Sequence, residues 1–412
     1  MRLTVLSPIH IGDGSELTAV DIYPSHEKIF VLDTARLTND LLSLGVSIEE
    51  ILSLLKNPPG DYYVFKGYID EFKLRVEDYT LYSLPIIGKE GKESMRIKRF
   101  IRTDGKPYIP GSSIKGAIRT AVLYKVLKEC GDSGTAMEVI RNMAGKAGGK
   151  KRENVEHLIN AIGRNTTLLE YYIHYLDSQL RRSEERKGRF DPKSADDLLE
   201  AIVFGMEPTW NFPGIGYEPK RDPMRALVVR DSGPIGKKHL AVYRVEVVGA
   251  ENPIPIWVEG LTPEASTEVE IRFDRETLRL NRDYFNGLLW ECLSNYGRPE
   301  EVFEDFLWEA VEEFYGRVIE EEMRNSSKFG AYKRSVEDFY RTLPDGKRLR
   351  LGWGSGWIST TIGLLLKGER RWEEIRKRLR LGMKPGGGSV SANFPKTRRI
   401  ADGMPMGWVT LQ

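Results

Sequence analysis

The chain has 412 residues, with 62 Lys and Arg against 60 Asp and Glu, a net charge of +2, and 40% hydrophobic and 30% charged residues. This length fits two domains or one much-elaborated domain, and the composition excludes a disordered tail. The near-balance of charge excludes a uniformly basic nucleic-acid coat, so a polyanion has to bind where cations cluster locally.

Two cysteines, Cys130 and Cys292, supply neither a secreted disulfide framework nor a Cys-rich zinc site. Five scattered histidines (His10, His26, His157, His174 and His239) show no metal-ligand spacing, and no cofactor is expected. The opening MRLTVLSPIH is broken by Pro8 before a secretory core can form. The late apolar stretch ISTTIGLLL is far short of the ~20 residues that span a bilayer. The expectation is a cytosolic protein with no membrane contact. Only two glutamines, Gln179 and Gln412, stand beside many Glu, Lys and Arg, a lean towards a thermophile.

The first third opens with strands. Leu3, Val5, Ile9 and Ile11 alternate on one face, and Val20, Ile22, Ile29 and Val31 continue the pattern, with Gly12-Asp13-Gly14 as the turn between them. Ile48, Ile51, Leu52 and Leu55 predict a short helix closed by Asn57-Pro58-Pro59-Gly60, and Tyr62 to Tyr82 reads as one or two strands. Ile114, Ile118, Ala121, Val122 and Leu127 predict a helix from Ser112 to Cys130. Gly145 to Lys151 reads as a loop, Thr167 to Arg182 as a helix, and 183–222 as a charged, Pro/Gly-rich insertion around one helix from Asp196 to Phe204. Strands return at Ala226–Arg230, Leu240–Val248, Pro255–Glu259 and Thr267–Phe273. Two helices follow. The second carries Phe303, Leu307, Ala310, Phe314 and Val318 on one stripe, and Glu312, Glu313, Glu320, Glu321 and Glu322 on a solvated outer face. A Gly-rich segment, a basic helix and a terminal strand close the chain. Interleaved strands and helices with frequent hairpins indicate an α+β fold of ferredoxin-like modules, with mixed antiparallel sheets.

Three stretches carry chemistry. In YIPGSSIKGAIRTA (Tyr108–Ala121), Pro110-Gly111 breaks the preceding segment and Ser112 or Ser113 is a natural N-cap. Lys115 sits in the first turn, with Arg119 about 40° round the same face. A cation there is the wrong sign for the helix dipole, and a bound anion such as phosphate reverses that. An ordinary capped helix accounts for the stretch equally well. In LGWGSGWISTTIG (Leu351–Gly363), Gly352, Gly354 and Gly356 alternate with Trp353, Ser355 and Trp357. Such a loop brings amides close to a ligand, and its tryptophans can stack on bases. It is neither a Walker loop nor a dinucleotide fingerprint, and a glycine-bent strand with core tryptophans is the plainer explanation when it is read alone. Finally, residues 367–412 hold eleven basic residues and four acids, a local balance of +7, whereas Arg298 to Glu322 is acidic. One end then suits phosphates and the other a basic protein neighbour. For catalysis, His10 is a candidate general acid or base and Asp21 a candidate metal ligand, neither with a partner at suitable spacing.

Taken in order, LSPIHIGDG, IPGSSIKGAIRTA, VRDS (Val229–Ser232) and LGWGSGW resemble the RAMP superfamily of CRISPR–Cas proteins. The length, the insertion at about 131–222 and the closing GGGSVSANFPKTRRI are similar to one family within it, the fifth subunits of type III-A (Csm) interference complexes, which sit at the guide-RNA 3′ end. The resemblance implies ferredoxin-like (RRM-like) modules, divided here as 1–250 and 251–412, and a non-catalytic RNA-binding role. That role is to cap the guide RNA and the backbone filament in guide maturation and antiviral defence. It implies guide RNA and the complex's backbone and small subunits as partners, with host nucleases as further candidates. By motif, the expected RNA contacts are Ser112, Ser113, Lys115, Arg119, Gly352, Gly354, Ser355 and Gly356. Arg230, the flanking Trp353 and Trp357, and Lys396, Arg398 and Arg399 complete them. The alternative is an endoribonuclease that processes guide RNA or slices target RNA. Against it, Leu17-Thr18-Ala19-Val20-Asp21 lacks the glycines that precede the slicing acid of backbone subunits, and His10 lacks the partners of the guide-processing enzymes.

Overall fold

The computed structural model describes residues 1–56, 63–88, 95–145, 148–185, 195–250, 253–383, 390–391 and 394–412. Outside them lie the Asn57–Gly60 stop, Tyr62, part of the Gly145–Lys151 stretch, residues 186–194 of the insertion, Lys384 and the whole closing glycine run, 386–388.

Strands β1 (Arg2–Val5), β2 (Gly12–Leu17), β3 (Ile22–Pro24) and β4 (Lys28–Leu32) lead into helices α1 (Thr34–Ser43), α2 (Ile48–Lys56) and α3 (Val64–Glu71). Then come β5 (Thr80–Ile87), β6 (Ile97–Phe100) and the hairpin of β7 (Arg102–Thr103) and β8 (Lys106–Pro107). Helix α4 (Gly111–Cys130) precedes α5 (Ser133–Ala144), α6 (Gly149–Ile162), α7 (Leu168–Glu185) and α8 (Asp197–Phe204). A hairpin of β9 (Met206–Pro208) and β10 (Ile215–Tyr217) follows, and then β11 (Leu227–Val229), β12 (Leu240–Val248), β13 (Ile256–Leu261), β14 (Ser266–Glu268) and β15 (Ile271–Phe273). Helices α9 (Arg275–Leu280), α10 (Leu288–Tyr296), α11 (Pro299–Arg324) and α12 (Lys333–Thr342) come before β16 (Arg348–Arg350). Short helices α13 (Trp357–Thr360), α14 (Gly363–Leu366) and α15 (Trp372–Arg378) lead to β17 (Arg398–Ala401), β18 (Met404–Pro405) and β19 (Trp408–Leu411).

These strands build two main sheets, giving the α+β architecture expected. The smaller is antiparallel, in the order β14-β1-β19-β16. In β1 the alternation is literal: Leu3 and Val5 are buried, and Arg2 and Thr4 are not. The larger is mixed, in the order β2-β6-β13-β12-β5-β4-β3, with β17 against β12 and β18 against β17. Its β12–β5 and β13–β6 pairs are parallel. Both sheets draw strands from both sides of residue 250. Helices α4 and α11 pack together against the smaller sheet, where Tyr315 meets Trp408 edge-on at 6.0 Å. Sandwiched this way, α4 buries residues around most of its circumference, including Ile114, Tyr124 and Lys125. Among the described residues, no helix is long and apolar enough to cross a membrane.

Several elements differ from expectation. Gly12-Asp13-Gly14 lies inside β2, where a bulge between Gly12 and Glu16 takes up the glycines. The stretch read as strands from Tyr62 contains α3, because Val64, Phe65, Tyr68 and Ile69 bury one helical face against Leu37 and Leu41 of α1. The single strand expected over 267–273 breaks at buried Val269, whose amide bonds the Met1 carbonyl; β14 serves β1 and β15 serves β11. The striped helix α11 is the third after β15, not the second, with α12 a fourth before β16, and α6 already starts at Gly149. The insertion is helical through α5 to α8. Cys130 at the end of α4 and Cys292 in α10 are bridged, their Cα atoms 6.0 Å apart.

Candidate nucleic-acid interface

Beyond β16 the chain bends along the segment that carries β1 over to β2, at the junction of the two sheets. Leu351 donates to the Gly407 carbonyl at 2.7 Å, Trp353 to the His10 carbonyl at 2.8 Å, and Gly407 to the Pro8 carbonyl at 2.9 Å. Gly352 has φ +76°, and a Cβ there would stand 2.3 Å from the His10 carbonyl oxygen, so only glycine fits. This close approach sets Trp353 with its edge to His10, at 6.1 Å between ring centroids. Two cations lie on its face: the Arg399 guanidinium at 4.7 Å and Lys98 Nζ at 6.0 Å from the ring centroid. Arg399 Nε is buried without a hydrogen-bond partner, and burial holds the group below its ordinary pKa. A half-buried indole with two cations over its ring, Lys98 also 3.7 Å from Glu16, is suited to a base and its phosphate.

Gly352→Ala should therefore destabilise more than Gly356→Ala. Both pay the left-handed penalty of about 1–2 kcal/mol, but only the first meets backbone, since nothing lies within 4 Å of a Cβ at Gly356. Parallel thermal melts check the order; equal melting shifts would contradict this account of the bend.

The other expected contacts are placed differently. Ser355 is buried, and its hydroxyl donates to the Gly352 carbonyl at 2.7 Å. Trp357 stacks on Trp372 (5.8 Å, 12°) and meets Phe394 at 4.7 Å, so its face is spent on packing. At the α4 entrance Pro110, not a serine, takes the N-cap position; Ser112 is exposed and Ser113 half-buried. The anion that the helix dipole favours is supplied by the chain itself: Gly111 donates to Asp231 Oδ1 at 2.8 Å. Lys115 donates to the Leu227 carbonyl at 2.6 Å, and burial lowers its pKa. Arg119 pairs with Asp222 while lying 3.6 Å over the Phe204 ring. Arg398 pairs with Glu322 at 2.8 Å in the interior. Lys396 is half-buried, and Arg230 is 70% exposed, 3.4 Å from Glu270.

The expected RNA contacts thus fall in two separate places. Ile109 and Gly233 tie the α4 entrance to the β14 edge through the Ser232 amide and the Glu268 carbonyl. The glycine bend leaves the opposite edge, with β1 and β19 between. The charge asymmetry also closes partly on itself: Lys367 pairs with Glu321 at 2.6 Å, and Arg371 and Arg378 pair with Asp177 of α7. Glu322, expected on a solvated face, is buried.

His10 is 2% exposed and its Nδ1 lies 2.7 Å from the Glu259 carbonyl oxygen. A carbonyl only accepts, so Nδ1 carries the proton, and burial holds the imidazole below its ordinary pKa. Asp21 Oδ2 accepts from the amide and the hydroxyl of Thr18, both at 2.7 Å, closing a turn. Sequence reading missed Glu259. Fully buried, it accepts from the Tyr82 hydroxyl at 2.9 Å, the Phe100 amide at 2.8 Å and Arg102. Burial and the Glu259 charge push the Tyr82 pKa up to about 12. A lone acid in the apolar strand IWVEGL was the available signal. Among the described residues, no cluster of three His, Cys, Asp or Glu is arranged for a metal.

The model of the RAMP superfamily matches residues 2–386. A protein of Methanocaldococcus jannaschii described as "CRISPR system Cms protein Csm5" is 22% identical over all of this chain and 88% of its own length. The Csm5 of Streptococcus thermophilus is 26% identical over 39% of this chain and 49% of its own. Among solved structures, that of T. onnurineus Csm5 superposes with a TM-score of 0.82 at 56% identity, covering both chains fully. A chain of a Csm–crRNA–target RNA ternary complex of a type III-A CRISPR–Cas system superposes with a TM-score of 0.84 at 53% identity, over 100% of this chain and 99% of that one. The chain belongs to the RAMP superfamily and, within it, to the Csm5 family.

Proposed function

We propose that this protein is a non-catalytic RNA-binding subunit of a type III-A CRISPR effector complex, capping the guide-RNA 3′ end and the backbone filament. Full-length likeness to a chain of a Csm–crRNA–target RNA complex supports membership of such an assembly. The observation that carries the RNA contact is Trp353, held on the glycine bend with Arg399 and Lys98 over its ring. Head-to-tail subunits along a strand keep adding until one presents a different free face, and a terminal subunit of this kind ends the growth. Phosphates and stacking, not base edges, set the recognition. Against cutting stand the burial of His10, with its Nδ1 on the Glu259 carbonyl, and the hold of Thr18 on Asp21 Oδ2 in its own turn.

The test is binding of a single-stranded guide across a salt series. With about three cations on phosphates, log K should fall with log salt at a slope of about −2. A flat plot overturns the reading. In the reconstituted complex, His10→Gln and Asp21→Asn should leave target-RNA cleavage unchanged; its loss on either substitution overturns the non-catalytic assignment.

A further inference from the structure

The helical insertion carries an aromatic groove of about 530 Å³, far along the chain from the glycine bend. Its walls are α6 and α7, and its rim is the tip of the β9–β10 hairpin. Trp210 and Phe212 at that tip are 62% and 50% exposed, large apolar rings on a surface that gains nothing by showing them to water. They are nevertheless held in position. Asn154 donates to the Trp210 carbonyl at 3.1 Å, and a Cβ at Gly214 would stand 2.8 Å from the Asn154 backbone, so the tip sits tightly on α6. Phe212 stacks on Tyr175 (5.8 Å, 10°) with the Arg182 guanidinium 3.8 Å from its ring centroid. Lys151 Nζ lies 5.5 Å from the Trp210 ring centroid.

We infer that this groove is a second single-stranded RNA station, stacking a base on Trp210 beside the Tyr175–Phe212–Arg182 stack. Charge selects that occupant. Lys150 and Arg182 line the groove with the polar rings of His157 and His174, and among the described residues no carboxylate does. Of the acids nearby, Glu156 and Glu184 are paired with Arg152 and Arg378, and Asp197 acts on Tyr175. Exposed aromatic faces edged by cations are the recurrent means of gripping unpaired nucleotides without regard to sequence. An acidic apolar protein segment meets the same charge, but the exposed Trp210 ring is flat, as a base requires. The inference extends the reading of the chain as an RNA-binding subunit and does not depend on the Trp353 station.

The test uses the full chain and a fluorescein-labelled 12-nucleotide oligouridine, with 4-thiouridine crosslinks located by mass spectrometry. Binding is measured in the Trp353→Ala/Arg399→Ala background, which leaves only the groove. Adducts at the hairpin tip are expected, with Trp210→Ala weakening binding about 5- to 150-fold. Arg182→Ala should reduce the salt slope by about 0.7. Trp210 is mostly solvent-exposed, so its variant carries the test without loosening the hairpin. Adducts confined to the Trp353 region, with Trp210→Ala neutral, overturn the groove and leave the proposed function standing. No adduct at either place overturns both. Loss of binding to another subunit on Trp210→Ala, with RNA binding intact, makes the groove a protein dock and overturns the inference.

Discussion

Glu322→Ala is expected to destabilise the protein by about 3–5 kcal/mol, the usual cost of stranding a buried charge. Glu322 is 1% exposed on α11 and pairs with Arg398 at 2.8 Å, with the Arg350 guanidinium 3.9 Å away. Removing the carboxylate leaves two guanidiniums in the interior. Arg350 keeps the Met406 carbonyl and Ser359, and Arg398 keeps the Pro395 carbonyl, but neither keeps a counter-charge. Glu322→Gln, which retains an acceptor, should fall between wild type and alanine. Exposed Glu312→Ala should stay within about 0.5 kcal/mol of wild type. Denaturant titrations of the three variants decide it, and a Glu322→Ala midpoint equal to wild type contradicts the assignment. The effect reaches the interface, because Arg350 ends β16 just before the glycine bend and Arg398 starts β17 just before Arg399. Replacing all three charged groups with apolar residues of similar volume should recover much of the loss, since a buried ion network holds geometry more than it adds stability.

That same triad shows where the sequence stops being legible. Helices with a clear stripe and strands with strict alternation were readable: α4 begins one residue before the expected start, and β12 has the expected bounds. These are local patterns set by which face is buried. Glu322 defeats the same logic. On α11 it stands among acids that read as a solvated face, and only the distant Arg398 makes its burial affordable. Residue 398 comes 76 positions later, and no periodicity links the two. The α4 entrance failed differently. The dipole argument asked for an anion and was sound, but the anion was Asp231, brought in by β11 pairing with β15. Arg119 was likewise taken by Asp222 from the insertion, and Lys115 by a carbonyl at the end of β11's approach. The glycine bend was the more robust reading. A run of alternating glycines signals close backbone approach whatever the partner, although the sequence did not say that the partner is His10. The insertion was recognised by composition alone, so its aromatic groove stayed hidden until α6, α7 and the hairpin tip were placed together.

Trp353→Ala combined with Arg399→Ala is expected to weaken single-stranded guide binding by about 10²- to 10³-fold, combining the usual stacking contribution of 1–3 kcal/mol per base with loss of one phosphate contact. The two halves should separate by salt. Arg399→Ala removes a cation, so its plot of log K against log salt should flatten by about 0.7. Trp353→Ala removes a stacking face and no charge, so its line should run parallel to wild type at lower affinity. Trp353→Phe should recover part of the loss. Because Trp353 also packs on His10, its alanine variant should lose some stability, and binding has to be measured well below both melting transitions. Anisotropy titrations at four salt concentrations suffice. Parallel lines for Arg399→Ala would mean that its guanidinium serves the indole and not a phosphate, leaving Lys98 as the cation at the bend. Wild-type affinity in the double variant would remove the bend from the RNA path. The groove of the insertion would then be the station on which RNA binding rests.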